Sequence, residues 1–113
     1  MLKVYGIKNC SGVKKAIKYF KAHQILYVFT DFRESPVTQK KIDAWLEHID
    51  IHALFNTKST TYRNLKFKES TLNEKEKATW LAKENMLIKR PVIEWDDNII
   101  IGYNESVYQQ KLH

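Results

Sequence analysis

The only cysteine of the chain, Cys10, is the residue with the clearest capacity for chemistry. It lies in the segment VYGIKNCSGVKKAIKYF, between Asn9 and Ser11, where an apolar run ends and an amphipathic pattern begins. The start of a helix offers unpaired backbone N–H groups and the positive end of the helix dipole, which both stabilise a thiolate. Lys8 and Lys14 add positive charge nearby. A lone cysteine is commonly a buried packing residue, but the polar neighbours of Cys10 favour a reactive thiolate.

Cys10 has no second cysteine with which it could form a disulfide. Val13 occupies the fourth position of what would be a C-x-x-C motif, so a dithiol cycle cannot run within the chain. A redox cycle at Cys10 therefore has to be completed by an external thiol, and glutathione is the expected co-substrate. No bound cofactor is expected.

Other residues that could do chemistry give weaker patterns. His48 and His52 are four residues apart, as on one helix face, but no third metal ligand accompanies them. Asp96 and Asp97 lie in a turn-forming sequence and are not expected to be a catalytic carboxylate pair. The sequence therefore predicts no metal site.

The elements that would position Cys10 follow from the hydrophobic pattern around it. Residues 2–5 are predicted to form a strand closed by Gly6, and residues 11–23 a helix whose apolar side chains recur with helical spacing. Residues 25–32 are predicted to form a second strand. Strand, helix and strand make a βαβ unit with parallel strands. Ligands of such units gather at the carboxyl end of the first strand, where Cys10 lies.

The remaining sequence predicts a helical middle, a hairpin and a last helix. Thr38 is a predicted N-cap for a helix that reaches Ile49, residues 51–72 are predicted to be irregular apart from a turn at 62–65, and a helix is predicted over about 71–85. VIEW and IIIGY are predicted strands joined by a turn at 96–98, and a final helix starts at Asn104. This order is that of an α/β thioredoxin-like fold, namely βαβ, a helical insert at about residues 37–88, and ββα around a mixed sheet.

Length and composition indicate one globular domain, residues 1–113. The chain is 43% hydrophobic and 28% charged, which is typical of folded soluble proteins and not of disordered ones. It contains no apolar run of membrane-spanning length, so no membrane is expected as a partner. It contains only one cysteine, so a reducing cytoplasm is the expected location. A monomer is expected.

The net charge of +6 comes from lysines spread along the whole chain, without a long basic run. This distribution does not favour direct nucleic-acid binding. A positive field does favour a small anionic substrate or an acidic protein partner.

Three stretches together resemble the ArsC family of thioredoxin-like proteins, in its branch related to YffB and Spx. They are YGIKNC, NTKSTTYRNL and IKRPVI…IIGYNESVYQQ, and the resemblance covers essentially the whole chain. It implies that Cys10 is a thiolate nucleophile and that arginines support an oxyanion near it. It also implies that Arg90-Pro91 is the family's Arg-Pro pair, in which the proline is cis and faces the cysteine. The residue types agree, because Pro91 can open a strand and Arg90 can clamp an anion.

The chain departs from the family pattern at two places. Lys58 stands where many relatives have arginine, so the positive charge is kept but the planar fork of hydrogen-bond donors is lost. Arg63 is a candidate to compensate. The arsenate reductases carry a third arginine after the last strand, whereas this chain reads GYNE at 102–105. This second departure disfavours arsenate as the substrate.

The resemblance leaves two functions open. The first is a bacterial, glutathione-dependent thiol reductase, an arsenate-reductase-like oxidoreductase in which Cys10 attacks an oxyanion or a mixed disulfide. Lys14 and Arg90 would then stabilise the thiolate and bind anionic groups, assisted by Lys58 and Arg63. The second is an Spx-like transcriptional regulator that binds the RNA polymerase α-subunit without turnover.

Overall fold

The computed structural model of the chain describes residues 1–65 and 72–112. The elements follow the predicted order of βαβ, helices, and ββα. They are β1 Leu2–Gly6, α1 Ser11–Ala22, β2 Tyr27–Asp31, α2 Gln39–Leu46, α3 Ile51–Leu54, α4 Thr60–Asn64, α5 Glu74–Lys83, a 3-10 turn Asn85–Leu87, β3 Val92–Trp95, β4 Asn98–Ile101 and α6 Glu105–Lys111. None of these helices is long and apolar enough to cross a membrane.

The four strands form one mixed sheet in the order β2-β1-β3-β4. β1 and β2 are parallel, with Gly6 opposite Asp31 at their carboxyl ends, as the βαβ prediction requires. β3 runs antiparallel to β1 and to β4, and Tyr5 lies opposite Val92. The carboxyl end of β1 therefore lies beside the beginning of β3, and these two places carry YGIKNC and the RPV sequence.

Side chains alternate along the central strands between two hydrophobic cores. Val4 of β1 packs with Phe20 of α1 and Tyr108 of α6, whose stacked rings have centroids 5.6 Å apart. Its neighbour Tyr5 packs in the other core, with its ring 5.1 Å from that of Trp45 in α2. Full burial of such side chains contributes about 1.5–3 kcal/mol each. The sheet is thus held between α1 and α6 on one face and the helices of the insert on the other.

Polar side chains begin most of the helices. Thr38 accepts a hydrogen bond from the amide of Lys41, and Asn104 accepts one from the amide of Val107, so both predicted N-caps are confirmed. Asn73 caps α5 in a reciprocal pair with Glu76. Thr71, where the sequence placed the start of this helix, lies outside the described residues.

Four features differ from the prediction. β2 spans 27–31 and not 25–32, because Ile25 closes the turn after α1 by donating its amide to Phe20. α2 ends at Leu46 rather than continuing through Ile49. The expectation that residues 51–72 are irregular is wrong at its start, since Asp50 accepts the amide of His52 and begins the short helix α3. The helical turn expected at 62–65 is confirmed by α4, and residues 66–71 lie outside the described residues. α5 ends at Lys83, and the 3-10 turn occupies the predicted end of that helix.

Candidate functional site around Cys10

Cys10 is the N-cap residue of α1. Its backbone is extended (φ −140°, ψ 125°), and its carbonyl accepts the amide of Lys14 at 3.0 Å. The thiol is free and half-buried, and it makes no capping hydrogen bond to the first turn. The N–H groups of that turn consequently remain available to a negative charge beside the sulfur. The sequence placed Cys10 in the loop, and the structure puts it directly at the helix start.

Gly6 allows the first turn of α1 to pack closely against the end of β1. A β-carbon placed on Gly6 would lie 2.5 Å from Cγ2 of Val13, a side chain that is 1% exposed. Only glycine leaves room for this approach. The close contact fixes where the helix begins relative to the strand, and with it the position of Cys10.

Asp31 holds the loop between Gly6 and Cys10 from the neighbouring strand. Its side chain is buried at the carboxyl end of β2. One carboxylate oxygen accepts the amide of Lys8 at 3.2 Å, and the other accepts the amide of Arg33 at 2.8 Å. Sequence reasoning missed this residue, although its place at the carboxyl end of the second parallel strand is the usual position for such a group.

Arg90 and Pro91 pack against the start of α1. The peptide bond between them is cis, as the family resemblance implied. A β-carbon on Gly12 would lie 3.3 Å from the Arg90 carbonyl oxygen and 3.4 Å from Cδ of Pro91. The structure therefore brings the Arg-Pro pair to the helix turn that begins at Cys10. Sequence reasoning also missed Gly12, whose close approach becomes visible only when these distant segments meet.

The segment after β4 supports Pro91 through hydrogen bonds. Its carbonyl accepts the amide of Gly102 at 2.7 Å, and the carbonyl of Gly102 accepts the hydroxyl of Tyr108 at 2.7 Å. Gly102 has a φ of +85°, a conformation that favours glycine. Burial raises the pKa of Tyr108 above its ordinary value, so its hydroxyl keeps the proton that it donates.

The guanidinium of Arg90 is only partly used by the fold. Its Nη1 donates to the carbonyl of Met86 at 2.9 Å. Its Nε is buried and has no hydrogen-bond partner among the described residues. Buried donors of this kind are rare, because most buried polar groups in folded proteins pair with protein atoms or ordered water.

The other cationic candidates lie at the surface. Lys14 is exposed on the first turn of α1, one turn from Cys10. Lys58 and Arg63 are also exposed, and within residues 1–65 and 72–112 no hydrogen bond or ion pair joins either side chain to Cys10. Their segment is nevertheless tied to the 3-10 turn that precedes Arg90, because the amide of Asn56 donates to the carbonyl of Leu87 at 2.8 Å.

Glu94 is the centre of a polar cluster on the insert-facing side of the sheet. Its carboxylate accepts hydrogen bonds from Lys41 (2.7 Å), Trp45 (2.9 Å) and Tyr5 (3.3 Å). Burial favours the neutral carboxyl, but the hydrogen bonds from Lys41 and Trp45 outweigh it and hold the pKa of Glu94 below its usual value. Burial, aided by the charge of Glu94, raises the pKa of Tyr5.

Metal chemistry has no visible ligand set in the part of the chain that the structure describes. No group of three or more His, Cys, Asp or Glu side chains there could hold an ion. His48 and His52 are exposed and do not share a helix, because His48 lies in the turn after α2 and His52 lies in α3. The chemistry available at this site is that of the thiol and the cations around it.

Comparison with known proteins agrees with this geometry. The model of the ArsC family matches residues 5–111. A protein of Haemophilus influenzae is 39% identical over 112 residues, with 96% of each chain covered, and the regulatory protein MgsR of Bacillus subtilis is 29% identical over 105 residues, covering 91% of this chain and 83% of MgsR. The solved structure of the YFFB (PA3664) protein superposes with a TM-score of 0.90 at 26% identity, with both chains fully covered. The predicted thioredoxin-like fold is confirmed, and the chain belongs to the ArsC family.

Proposed function

We propose that the protein is a thiol oxidoreductase in which Cys10 is the nucleophile and an external thiol, glutathione, completes the cycle. The observation that carries the proposal is the packing of Gly12 against the cis Arg90-Pro91 pair, at the start of the helix that Cys10 caps. A free thiol at a helix N-terminus and the backbone of an Arg-Pro pair thus meet from segments far apart in the chain. This combination is suited to holding a thiolate and an anionic substrate together.

The proposed reaction is thiol–disulfide exchange. The Cys10 thiolate attacks one sulfur of a mixed disulfide between a substrate thiol and glutathione, and the departing substrate sulfur takes the electron pair and then a proton. Cys10 is left as a mixed disulfide with glutathione. A second glutathione thiolate attacks that bond, which releases the Cys10 thiolate and oxidised glutathione. The two electrons come from glutathione, so no bound cofactor is needed, and the reducing cytoplasm is the compartment that supplies it.

Four cationic side chains have proposed roles in this reaction. Lys14 and Arg90 would stabilise the Cys10 thiolate and bind anionic groups close to the reacting sulfur, while Lys58 and Arg63 would assist from the surface. The unpartnered Nε of Arg90 supports a role in ligand binding, because a bound anion could satisfy it. Arsenate is not the substrate we propose, since GYNE at 102–105 supplies no third arginine.

Intact-mass spectrometry tests the proposal. The folded protein is incubated with oxidised glutathione at about pH 6, and the rate of mixed-disulfide formation at Cys10 is measured. The control is the same chain unfolded in urea, which keeps the thiol but loses the helix N-terminus. We expect the folded protein to react faster. A folded protein that stays unmodified, or reacts no faster than the unfolded chain, would refute the proposal.

The similarity to MgsR supports a second candidate, a regulator that binds RNA polymerase without turnover. In this case the surface around Cys10 would bind the α-subunit of the polymerase, and thiol chemistry would be unnecessary. A pull-down with the C-terminal domain of that subunit, comparing the wild type with Cys10→Ala, separates the candidates. Capture of both proteins, together with an unreactive thiol, would favour the regulator.

A further inference from the structure

A cavity of about 190 Å³ lies between the chain after β2 and the end of α5. Phe32, Arg33 and Pro36 line one side of it. Lys83 and Met86 are among the residues on the other side. One water molecule needs only about 10–15 Å³ of such volume, so the cavity can hold several. The cavity is therefore large enough for one end of a small molecule, and smaller than the ~300–1,000 Å³ of pockets that enclose a drug-sized ligand.

Both walls of this cavity are tied to the site around Cys10. On one wall, Asp31 accepts the amide of Arg33 with one carboxylate oxygen and the amide of Lys8, just before Cys10, with the other. On the opposite wall, the carbonyl of Met86 accepts Nη1 of Arg90. Hydrogen bonds thus join one wall to the loop before Cys10 and the other wall to Arg90, so the segments that flank Cys10 also hold the cavity.

The charges around the cavity favour an anion. Arg33 and Lys83 line it and are exposed, and Glu84 is the single carboxylate among the lining residues. The ammonium of Lys83 lies 5.2 Å from the centroid of the Trp80 ring, a contact that orients this side chain. Two cations against one carboxylate leave a positive balance, and the side chains of Phe32 and Met86 add apolar surface. An amino-acid-sized group that ends in a carboxylate matches this combination in size and charge.

We propose that this cavity is a subsite for the carboxylate-bearing end of a peptide-like thiol or disulfide, whose sulfur reacts at Cys10. The inference rests on the proposed function and specifies its substrate class. Arg33 and Lys83 bind the carboxylate, and the remainder of the molecule extends along the Asp31–Lys8 connection to the thiol. Selectivity for carboxylated over uncharged disulfides then comes from residues that do not touch the reacting sulfur atoms.

The test compares two disulfides with the full-length protein. Oxidised glutathione carries carboxylates, and bis(2-hydroxyethyl) disulfide carries none. Rates of mixed-disulfide formation at Cys10 are measured by intact mass for the wild type and for the double variant Arg33→Gln/Lys83→Gln. The matched control is Lys21→Gln/Lys111→Gln, which removes the same charge from the last turns of α1 and α6.

We expect the subsite variant to react about tenfold more slowly with oxidised glutathione and within about twofold of the wild type with the uncharged disulfide. Equal slowing with both disulfides, no slowing with either, or the same loss in the control variant would overturn the subsite while leaving the reactivity of Cys10 intact. A wild-type protein that reacts with neither disulfide would instead refute the proposed function, and the subsite with it.

Discussion

The contact between Gly6 and Val13 gives a sharp test of how the cysteine loop is positioned. In Gly6→Ala the new β-carbon would lie 2.5 Å from Cγ2 of Val13, whereas carbon atoms in contact prefer about 3.5–4.0 Å. Strand and helix would have to separate by about 1 Å, or Val13 would have to leave its rotamer. Overpacking of this size costs about 1–3 kcal/mol of the free energy of unfolding.

The compensating variant is Val13→Ala, which removes the methyl group that clashes. Alone it should cost about 1–3 kcal/mol, because it empties a fully buried position. In the double variant the new methyl of residue 6 occupies part of the space that Val13 vacates. The two changes should therefore be coupled by about 1–2 kcal/mol in the stabilising direction, so that the double variant is more stable than the sum of the single variants predicts.

Urea denaturation, monitored by tryptophan fluorescence, gives the free energy of unfolding of the wild type, the two single variants and the double variant. Because Gly6 also sets the position of Cys10, the alkylation rate of the thiol by iodoacetamide should fall in Gly6→Ala and recover in the double variant. Additive free energies, within about 0.5 kcal/mol, would refute the contact as the reason for glycine at this position. Coupled stabilities without any change in alkylation would show that the contact does not position the thiol.

Three further predictions concern groups that hold the fold together. Glu94→Gln should lower the urea midpoint at neutral pH relative to the wild type. This difference in midpoint should shrink below about pH 4.5, because the stability that comes from the lowered pKa of Glu94 is lost as the pH falls through that pKa. A difference that does not change with pH would contradict this. Asn85→Ala should cost about 1–3 kcal/mol in urea denaturation, since the buried amide of Val37 loses its acceptor at 2.7 Å. Tyr108→Phe should cost about 1 kcal/mol, a fall of roughly 4–6 °C in Tm by calorimetry, because the carbonyl of Gly102 loses its donor; an unchanged Tm would exclude that bond as a support.

Local patterns predicted most of the elements and the place of Cys10. The apolar spacing of α1, the cap residues Thr38 and Asn104, and the parallel βαβ unit depend on short-range chemistry that the sequence displays directly. The family resemblance added the cis bond before Pro91. The short helix α3 was missed because one turn is too short to show helical periodicity, and Asp50, which caps α3, equally fits the end of the preceding helix.

The parts of the site that were not predicted depend on segments distant in sequence. Gly12 matters because Arg90 and Pro91 come against it, and Asp31 matters because the loop before Cys10 turns its amide toward that carboxylate. Neither residue carries a local sign of its role beyond the position of Asp31 at a strand end. The hydrogen bond from Asn56 to Leu87, which ties the segment of Lys58 and Arg63 to the turn before Arg90, is likewise encoded by no local pattern.

The hydrogen bonds that join Gly102 to Pro91 and Tyr108 affect when the surroundings of Cys10 form during biosynthesis. Cys10 leaves the ribosome well before Pro91, which packs at the start of α1, and before Gly102 and Tyr108, whose hydrogen bonds support Pro91. Since a domain folds as a unit, the surroundings of the thiol form only after these residues have been translated. We expect the nascent cysteine to depend on a reducing environment throughout translation and to acquire its own reactivity only when the last helix docks.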